Sequence, residues 1–449
     1  MIRSPDRCAP HRVEVSGRSA PTTTERSDMF LRHLADRNPD LASVAFDLHR
    51  SGAIPPNTWV IDLDTVADNA RVLGERAREL GLSTYLMTKQ FGRNPYVTAV
   101  GLARGLDSTV CVDITCALQL TRYGLPIGHL GHLNQVPRVF VDRAVSWRPQ
   151  VITVFNAEHA EWISAAAARQ GVTQDLLLKV YSDGDVFFQG QEGGTAESEV
   201  PAVAKRIAAL SNVRVVGVTA FPCVRYDPEG TGAPELTPNF DTVVRCAKEL
   251  TALGFEINQV NTPGNTSSAT MKLLADHGAT HVEPGHGLTG TTPSHAADAT
   301  LPERPAFVYV SEISHHFRNY AYAFGGGLFQ DIYPAGYTAK ALVGPTWEAA
   351  RNNTLSYRHD IPQIIDYHAV LEPGDRCAVG DTALFGFRTQ MQMTRSYVAP
   401  VSGIRTGEPR LRFLFDNAAT ALDPDTVQPV AAERVVADLR VVRDLYGNS

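Results

Sequence analysis

Short β-branched runs alternate with amphipathic stretches through most of the chain. TWVIDLD (58–64) reads as a strand leading into a helix DTVADNARVLGERARELG that Asp64 would cap. STYLMTKQFG (83–92) reads as the next strand, followed by a helical YVTAVGLARGL. The series continues through STVCVDI, IGHLGHLN, VITVFN, DLLLKVYS, VRVVGVTAF and FEINQVN, with helical segments such as AEHAEWISAAAARQG and TPNFDTVVRCAKELTALG between them. A helix around SSATMKLLADHG and a strand-like THVEPGHGLTG complete it. These units have short connections and no break that would mark a switch point, so residues 55–300 are expected to form a (β/α)8 TIM barrel rather than a doubly wound sheet. Beyond residue 300 the texture changes to PAFVYVSEISHHF, NYAYAFGGGL, DRCAVGDTALFGF and QMQMTRSYVAP, punctuated by Gly and Pro. This predicts a mostly-β C-terminal domain over 301–430, followed by a C-terminal helix over 431–449. Residues 29–54 have helical spacing up to Pro55 and Pro56 and form an N-terminal arm. Residues 1–28, rich in Ser, Thr, Pro and Arg, lack apolar periodicity and read as a disordered tail.

Composition narrows the function. The chain has 449 residues, 43% hydrophobic and 20% charged, and a net charge of -7 with no basic block, so it is not expected to bind nucleic acid. No long apolar run and no apolar leader segment occur, which predicts a cytoplasmic protein without membrane attachment. Six scattered cysteines contain no C-x-x-C, so neither a disulfide framework nor a zinc knuckle is expected, and no metal is predicted. Of 41 basic residues only six are lysines, which leaves lysine chemistry few homes.

Barrel enzymes place catalytic groups where strands end. Lys89 stands at such an end in YLMTKQFGRNP, behind an apolar run where an unused lysine would be costly; burial lowers the pKa of its amine and frees the lone pair for a Schiff base. Gly285, Gly287 and Gly290 in HVEPGHGLTGTTP let backbone approach an anion closely, or make a plain turn. NTPGNTSSAT (261–270) offers amide and hydroxyl donors at a helix start, where Thr266 or Ser267 would be the cap. Two anion cradles opposite one strand-end lysine suggest pyridoxal 5'-phosphate.

Through MTKQFGRNP, LLLKVYSDGD, NTPGNTSS, VEPGHGLTG and VGDTALFG, the chain resembles the fold-type III pyridoxal-phosphate enzymes, the alanine racemase-like superfamily, and most closely its YhfX-type branch. The resemblance spans roughly residues 55–400. It implies that Lys89 is the Schiff-base lysine, that Gly285, His286, Gly287 and the segment with Asn265, Thr266 and Ser267 hold the phosphate, and that the enzyme is a homodimer with shared active sites. Departures from the racemase pattern bear on the chemistry. Glu283-Pro284-Gly285 replaces R-P-G and is similar to the E-P-G of the decarboxylases of this fold, in which a carboxylate keeps the pyridine nitrogen protonated. Tyr181 follows Lys179-Val180 where racemases carry Asp, and it is counted with the cofactor-binding positions. No arginine appears before Arg206 to meet the cofactor's phenolate, and Phe221 stands where racemases carry His. Of His129 and His132, one would face the cofactor. The racemase acid/base tyrosine is replaced by Phe324 within Ala323-Phe324-Gly325, leaving Tyr320 or Tyr322 as substitutes, with Tyr322 the candidate catalytic residue. Cys377 begins a C-x-x-G-D that resembles the C-E-S-G-D of the decarboxylases and is the other candidate. Of His315 and His316, adjacent on a strand, at most one can serve the site.

The resemblance implies a racemase or epimerase acting at the α-carbon of an amino-acid substrate through an external aldimine and a quinonoid. A decarboxylase is the alternative that Glu283 and Cys377 favour. A non-catalytic pyridoxal-phosphate-binding protein is the third reading, and the second domain argues against it.

Overall fold

The computed structural model describes residues 29–226, 233–331, 339–358 and 365–447; the expected tail, 1–28, lies outside them. Eight parallel strands form the barrel: Ser83–Met87, Ser108–Cys111, His129–Leu130, Val151–Val154, Gln174–Tyr181, Val213–Thr219, Gln259–Asn261 and His281–Val282. They neighbour one another in chain order, and the ring closes where His281 and Val282 pair with Ser83 and Thr84. The apolar runs are buried on both faces, as the inner and outer layers of such a barrel require.

The first expected barrel strand belongs elsewhere. Thr58–Asp62 pairs antiparallel with Phe307–Phe317 and parallel with Tyr397–Ser402, inside the sheet of the C-terminal domain. All five of its residues are buried, so its pattern is that of any strand covered on both faces, and periodicity could not say which sheet covers it. Lys89 therefore follows the first barrel strand, not the second. The helix after Thr58–Asp62 is capped by Asp62, whose Oδ1 accepts from Asp64 N at 2.9 Å and Thr65 N at 3.2 Å, and not by Asp64 as expected.

The β domain contains a closed antiparallel ring. Its strands run Phe307–Phe317, Tyr320–Phe324, His368–Glu372, Thr354–Arg358, Lys340–Gly344 and Thr382–Phe385, which pairs back to Phe307–Phe317. A register shift between Ile313 and His315 turns the long first strand so that its two halves meet different partners. The helices Met29–Arg37 and Pro39–Arg50 lie on this domain: Leu41, Phe46 and Ile54 form a core with Val60, Val308 and Val310. The domain is thus built from both sides of the barrel in sequence. The C-terminal helix Ala432–Gly447 instead docks on the barrel, where Asp438 Oδ2 accepts from Tyr96 OH at 2.6 Å, so the helix after the Lys89 turn is held from behind. Among the described residues no helix is long and apolar enough to cross a membrane.

Trp59 anchors the exit of the β-domain sheet, and the chain beyond it, at Arg388 and Thr389, meets Asn265 and His286 of the barrel. Trp59 packs edge-on against Phe387 and Phe307, with centroids 5.1 and 5.0 Å away. The chain just past Thr382–Phe385 is thereby carried to the barrel's strand ends.

Candidate functional site

Lys89 opens a 3-10 turn, Lys89–Phe91, directly after the strand Ser83–Met87. Gly92 (φ 65) and Arg93 (φ 57) then reverse the chain in the left-handed region before Asn94 caps the next helix. A side chain at Gly92 would also press on Val398 at 3.3 Å. Lys89 is half-buried, and its amine makes no hydrogen bond among the described residues. Burial pulls its pKa down, helped by Arg388 and opposed by Asp331, Cys116 and Glu283. A lowered pKa is the direction that the Schiff-base chemistry expected from the sequence requires.

Glu283 follows the last barrel strand and is wholly buried at its side chain. Oε1 accepts from Asn261 Nδ2 and His129 Nδ1, each at 2.8 Å, and the other nitrogen of His129 meets Thr153 Oγ1. Burial alone would raise the carboxyl pKa, but His132, His129 and Asn261 outweigh it and hold Glu283 below the ordinary glutamate range. Oε2 stands 3.2 Å from His132 Nδ1 out of hydrogen-bonding alignment, and both atoms are buried without a partner. Burial drives the His132 pKa down to about 3, so its ring is neutral. An ionised carboxylate oxygen with no donor, inside a barrel mouth, is built to receive one.

The same three residues, His129, His132 and Glu283, carry ligand atoms within 4.8 Å of one another. Both ring nitrogens of His129 are already engaged by Glu283 and Thr153, leaving two atoms for an ion, fewer than zinc-type sites use. The donor set suits a hydrogen-bonding ligand better than a metal.

The two expected anion loops lie side by side, joined by a parallel bridge between Thr266 and Pro284. A Cβ at Gly285 would come within 2.5 Å of Gln90 Oε1, and one at Gly287 within 2.4 Å of Thr266 O, so glycine is what lets the Glu283 loop seat on both the Lys89 turn and the NTPGNTSS loop. Thr266 Oγ1 and Ser267 Oγ are buried with no partner. Part of the expected anion site at the helix start is taken, since Glu303 accepts from Ser268 N and Ser268 Oγ, both at 2.8 Å. The side chain of His286 is engaged elsewhere, leaving its backbone to the anion loop: Nε2 meets Thr389 O at 2.8 Å and Nδ1 faces Arg388 Nη2 at 3.4 Å. Arginine can only donate, so Nδ1 accepts, Nε2–H is spent on the carbonyl, and no ring N–H remains. Burial and then Arg388 push its pKa down to about 3.

The remaining sequence candidates are not gathered here. Tyr181 ends its strand half-buried, with its ring 6.3 Å from Phe187, and makes no contact with Lys89 or Glu283. Lys179 is buried over the ring of Phe155 and donates to Gln191 O at 3.1 Å. Tyr322 and Cys377 stand in the β domain away from Lys89 of their own chain. Tyr322 stacks on His315 at 4.6 Å, and Cys377 O meets His316 Nε2 at 3.1 Å. Burial raises the Cys377 thiol pKa to about 11. Sequence reasoning missed Arg388 and Asp331, whose ion pair at 2.8 Å borders both anion loops; the usable signal was an arginine directly after the buried run TALFGF.

Pyridoxal phosphate, the cofactor implied by the resemblance, fits these atoms. Lys89 would hold its aldehyde carbon, Glu283 Oε2 its ring nitrogen, and Thr266 and Ser267 its phosphate.

Residues 61–293 match the family model for the alanine racemase N-terminal domain, and 308–411 that for the YhfX-like C-terminal domain. The chain is 41% identical over 395 residues to the uncharacterised protein YhfX of Escherichia coli K12, covering 88% of this chain and 100% of that one. Among solved structures, D-threonine aldolase from Filomicrobium marinum superposes with a TM-score of 0.60 at 14% identity, over 81% of this chain and 95% of its own. Alanine racemase from Clostridium difficile 630 gives 0.56 at 16% identity, over 81% and 98%. D-threo-3-hydroxyaspartate dehydratase from Delftia sp. HT23 gives 0.57 at 16%, over 79% and 95%. At these identities the superpositions establish the fold, and the two family matches with the extended identity establish the lineage: the chain belongs to the alanine racemase-like superfamily of fold-type III proteins, in its YhfX-like branch.

Proposed function

We propose that this protein is a pyridoxal-phosphate-dependent amino-acid racemase or epimerase acting at the α-carbon of its substrate. The observation that carries the reading is the pairing of a half-buried Lys89, whose amine has no hydrogen-bond partner among the described residues, with an ionised Glu283 whose buried Oε2 lacks a donor. When bound, the cofactor supplies an electron-accepting ring conjugated to the substrate's α-carbon. Glu283 Oε2 holds a proton on the ring nitrogen, and the His129, Asn261 and Thr153 network keeps that carboxylate ionised and oriented. Lys89 Nζ, with its pKa lowered, takes or returns a proton at one face of the α-carbon. Enclosure of Glu283 and His132 excludes water from the reacting centre.

The opposite face needs a second proton carrier, and we assign it to the β domain of a second copy. Tyr322 and Cys377 lie on that domain beside Phe317, Ile365, Tyr367 and Val379, which are 55%, 62%, 66% and 62% exposed, an apolar margin suited to burial in a homodimer. The five described cysteines are all free, in keeping with a reducing cytoplasm. Glu283 favours one further reading, decarboxylation, because a protonated ring also stabilises the carbanion left by CO2. Incubating the holoprotein with pools of L- and D-amino acids in D2O separates the two. Racemisation puts deuterium at the α-carbon of both enantiomers with the carbon count unchanged. Release of CO2 with an amine replaces that conclusion by the second reading, and no reaction with any pool overturns both.

A further inference from the structure

A phosphate monoester brings about two negative charges, yet the groups expected to receive it are neutral. Thr266 and Ser267 offer hydroxyls, and His286 is uncharged with no N–H to give. Lys89 belongs to the aldehyde carbon, Lys179 Nζ is held by Gln191 O, and Arg93, whose Nε is also buried without a partner, turns Nη1 and Nη2 to Gln392 Oε1 and Asn417 O rather than to either anion loop. Arg388 is different. Its Nη2 donates to Asn265 Oδ1 at 3.2 Å and faces His286 Nδ1 at 3.4 Å, one contact on each anion loop. Nη1 pairs with Asp331 Oδ2 at 2.8 Å, and Nε is buried without any partner.

Its backbone is fixed from both sides. Phe387, 1% exposed, is locked against Trp59, while Thr389, 0% exposed, gives its carbonyl to His286 and its hydroxyl to Phe329 O. Asp331 N also donates to Arg388 O at 2.9 Å. A guanidinium held this way has Nε–H free to meet an anion with little reorganisation.

Resting on the cofactor reading above, we propose that Arg388, delivered by the β domain of the same chain, is the cation that binds the cofactor's phosphate, and that Asp331 holds it in place until the phosphate arrives. The β domain would then do more than shape a dimer: it would close the cofactor site within each subunit.

The test compares the affinities of the apoprotein for pyridoxal phosphate and for pyridoxal, which lacks the phosphate, by absorbance titration. The wild type should prefer the phosphorylated aldehyde. Arg388→Gln should cut that preference by about 10- to 100-fold while leaving pyridoxal binding intact. Arg388→Lys should fall between, and Asp331→Asn, which keeps the guanidinium, should match or exceed the wild type. These two variants decide the matter if Arg388→Gln does not fold. An unchanged preference in Arg388→Gln or Arg388→Lys overturns the proposal and leaves the cofactor reading standing. An equal collapse in Asp331→Asn also overturns it, because the ion pair would then matter only for local structure. Binding of neither aldehyde by the wild type removes the cofactor reading and this proposal with it.

Discussion

The barrel mouth and the outer strands of the β domain both carry histidines and candidate catalytic groups, in opposite states. Around Glu283, His129 and Asn261 are 0% exposed and bound into one network, while Glu283 Oε2, Asn261 Oδ1 and the neighbouring His132 Nδ1 are buried and unpaired. Around Tyr322 and Cys377, the exposed His315 stacks on Tyr322 and meets His368 edge-on, and His316 reaches Cys377 at the surface. The first region is organised within one chain; the second has side chains in position but nothing covering them. On the proposed reading, a single subunit completes the half of the site that would hold and polarise a cofactor, and the half that would move the second proton would come from a second copy.

The sharpest break in that contrast is Lys89→Ala. It should abolish the visible absorbance of the purified protein and lower turnover by at least about three orders of magnitude; a borohydride label found on Lys179 instead would misplace the reactive centre. Next, Tyr322→Phe or Cys377→Ala should impair activity although neither residue touches its own subunit's Lys89. An equal mixture of either with Lys89→Ala should regain about a quarter of the wild-type rate through hybrid dimers. Full activity in a monomer measured by light scattering would show the outer region to be inert.

Glu283→Gln should keep the cofactor, held by Lys89 and the phosphate loops, and lose about a hundredfold in turnover, or ~2.7 kcal/mol. Wild-type rates in that variant would mean that the ring nitrogen is not its target. The smallest effect is on stability. His132 and His286 titrate near 3 when folded against an ordinary 6.5, so below 6.5 the unfolded chain binds more protons. Folding stability should be flat on their account above pH 6.5 and fall towards pH 3 by up to ~1.4 kcal/mol per pH unit for each. Glu283, whose pKa is lowered on folding, adds stability above the ordinary glutamate value of 4.5 that is lost as pH falls through its folded pKa, in the same direction. Denaturant midpoints measured against pH should show a shallower acid slope in His286→Gln.

Lys89 was legible because it sits where an apolar run ends, and Glu283 through the E-P-G resemblance; strand ends of a barrel converge whatever lies between them. The glycines at 285 and 287 were legible for a related reason: a side chain there would strike Gln90 or Thr266, a constraint that leaves glycine in the sequence. Arg388 was not, since it lies 299 positions from Lys89 and only the docking of Phe387 on Trp59 brings it to the rim. The same distance hid the role of His286, whose donors are consumed by Thr389 and Arg388 from the other domain.

What the sequence determined by itself was local: the alternation of strands and helices, the lysine and glutamate at strand ends, the glycine loops, the change of texture near residue 300. These follow from periodicity and from backbone sterics, which act over a few residues. Tertiary structure alone decided that Thr58–Asp62 joins the β domain, that Glu303 occupies the helix start meant for an anion, and that an arginine from one domain meets His286 and Asn265 on the two anion loops of the other. Strand partnership, burial and the surroundings of a charge depend on what packs against a residue from far along the chain, and that is settled only when the whole molecule closes.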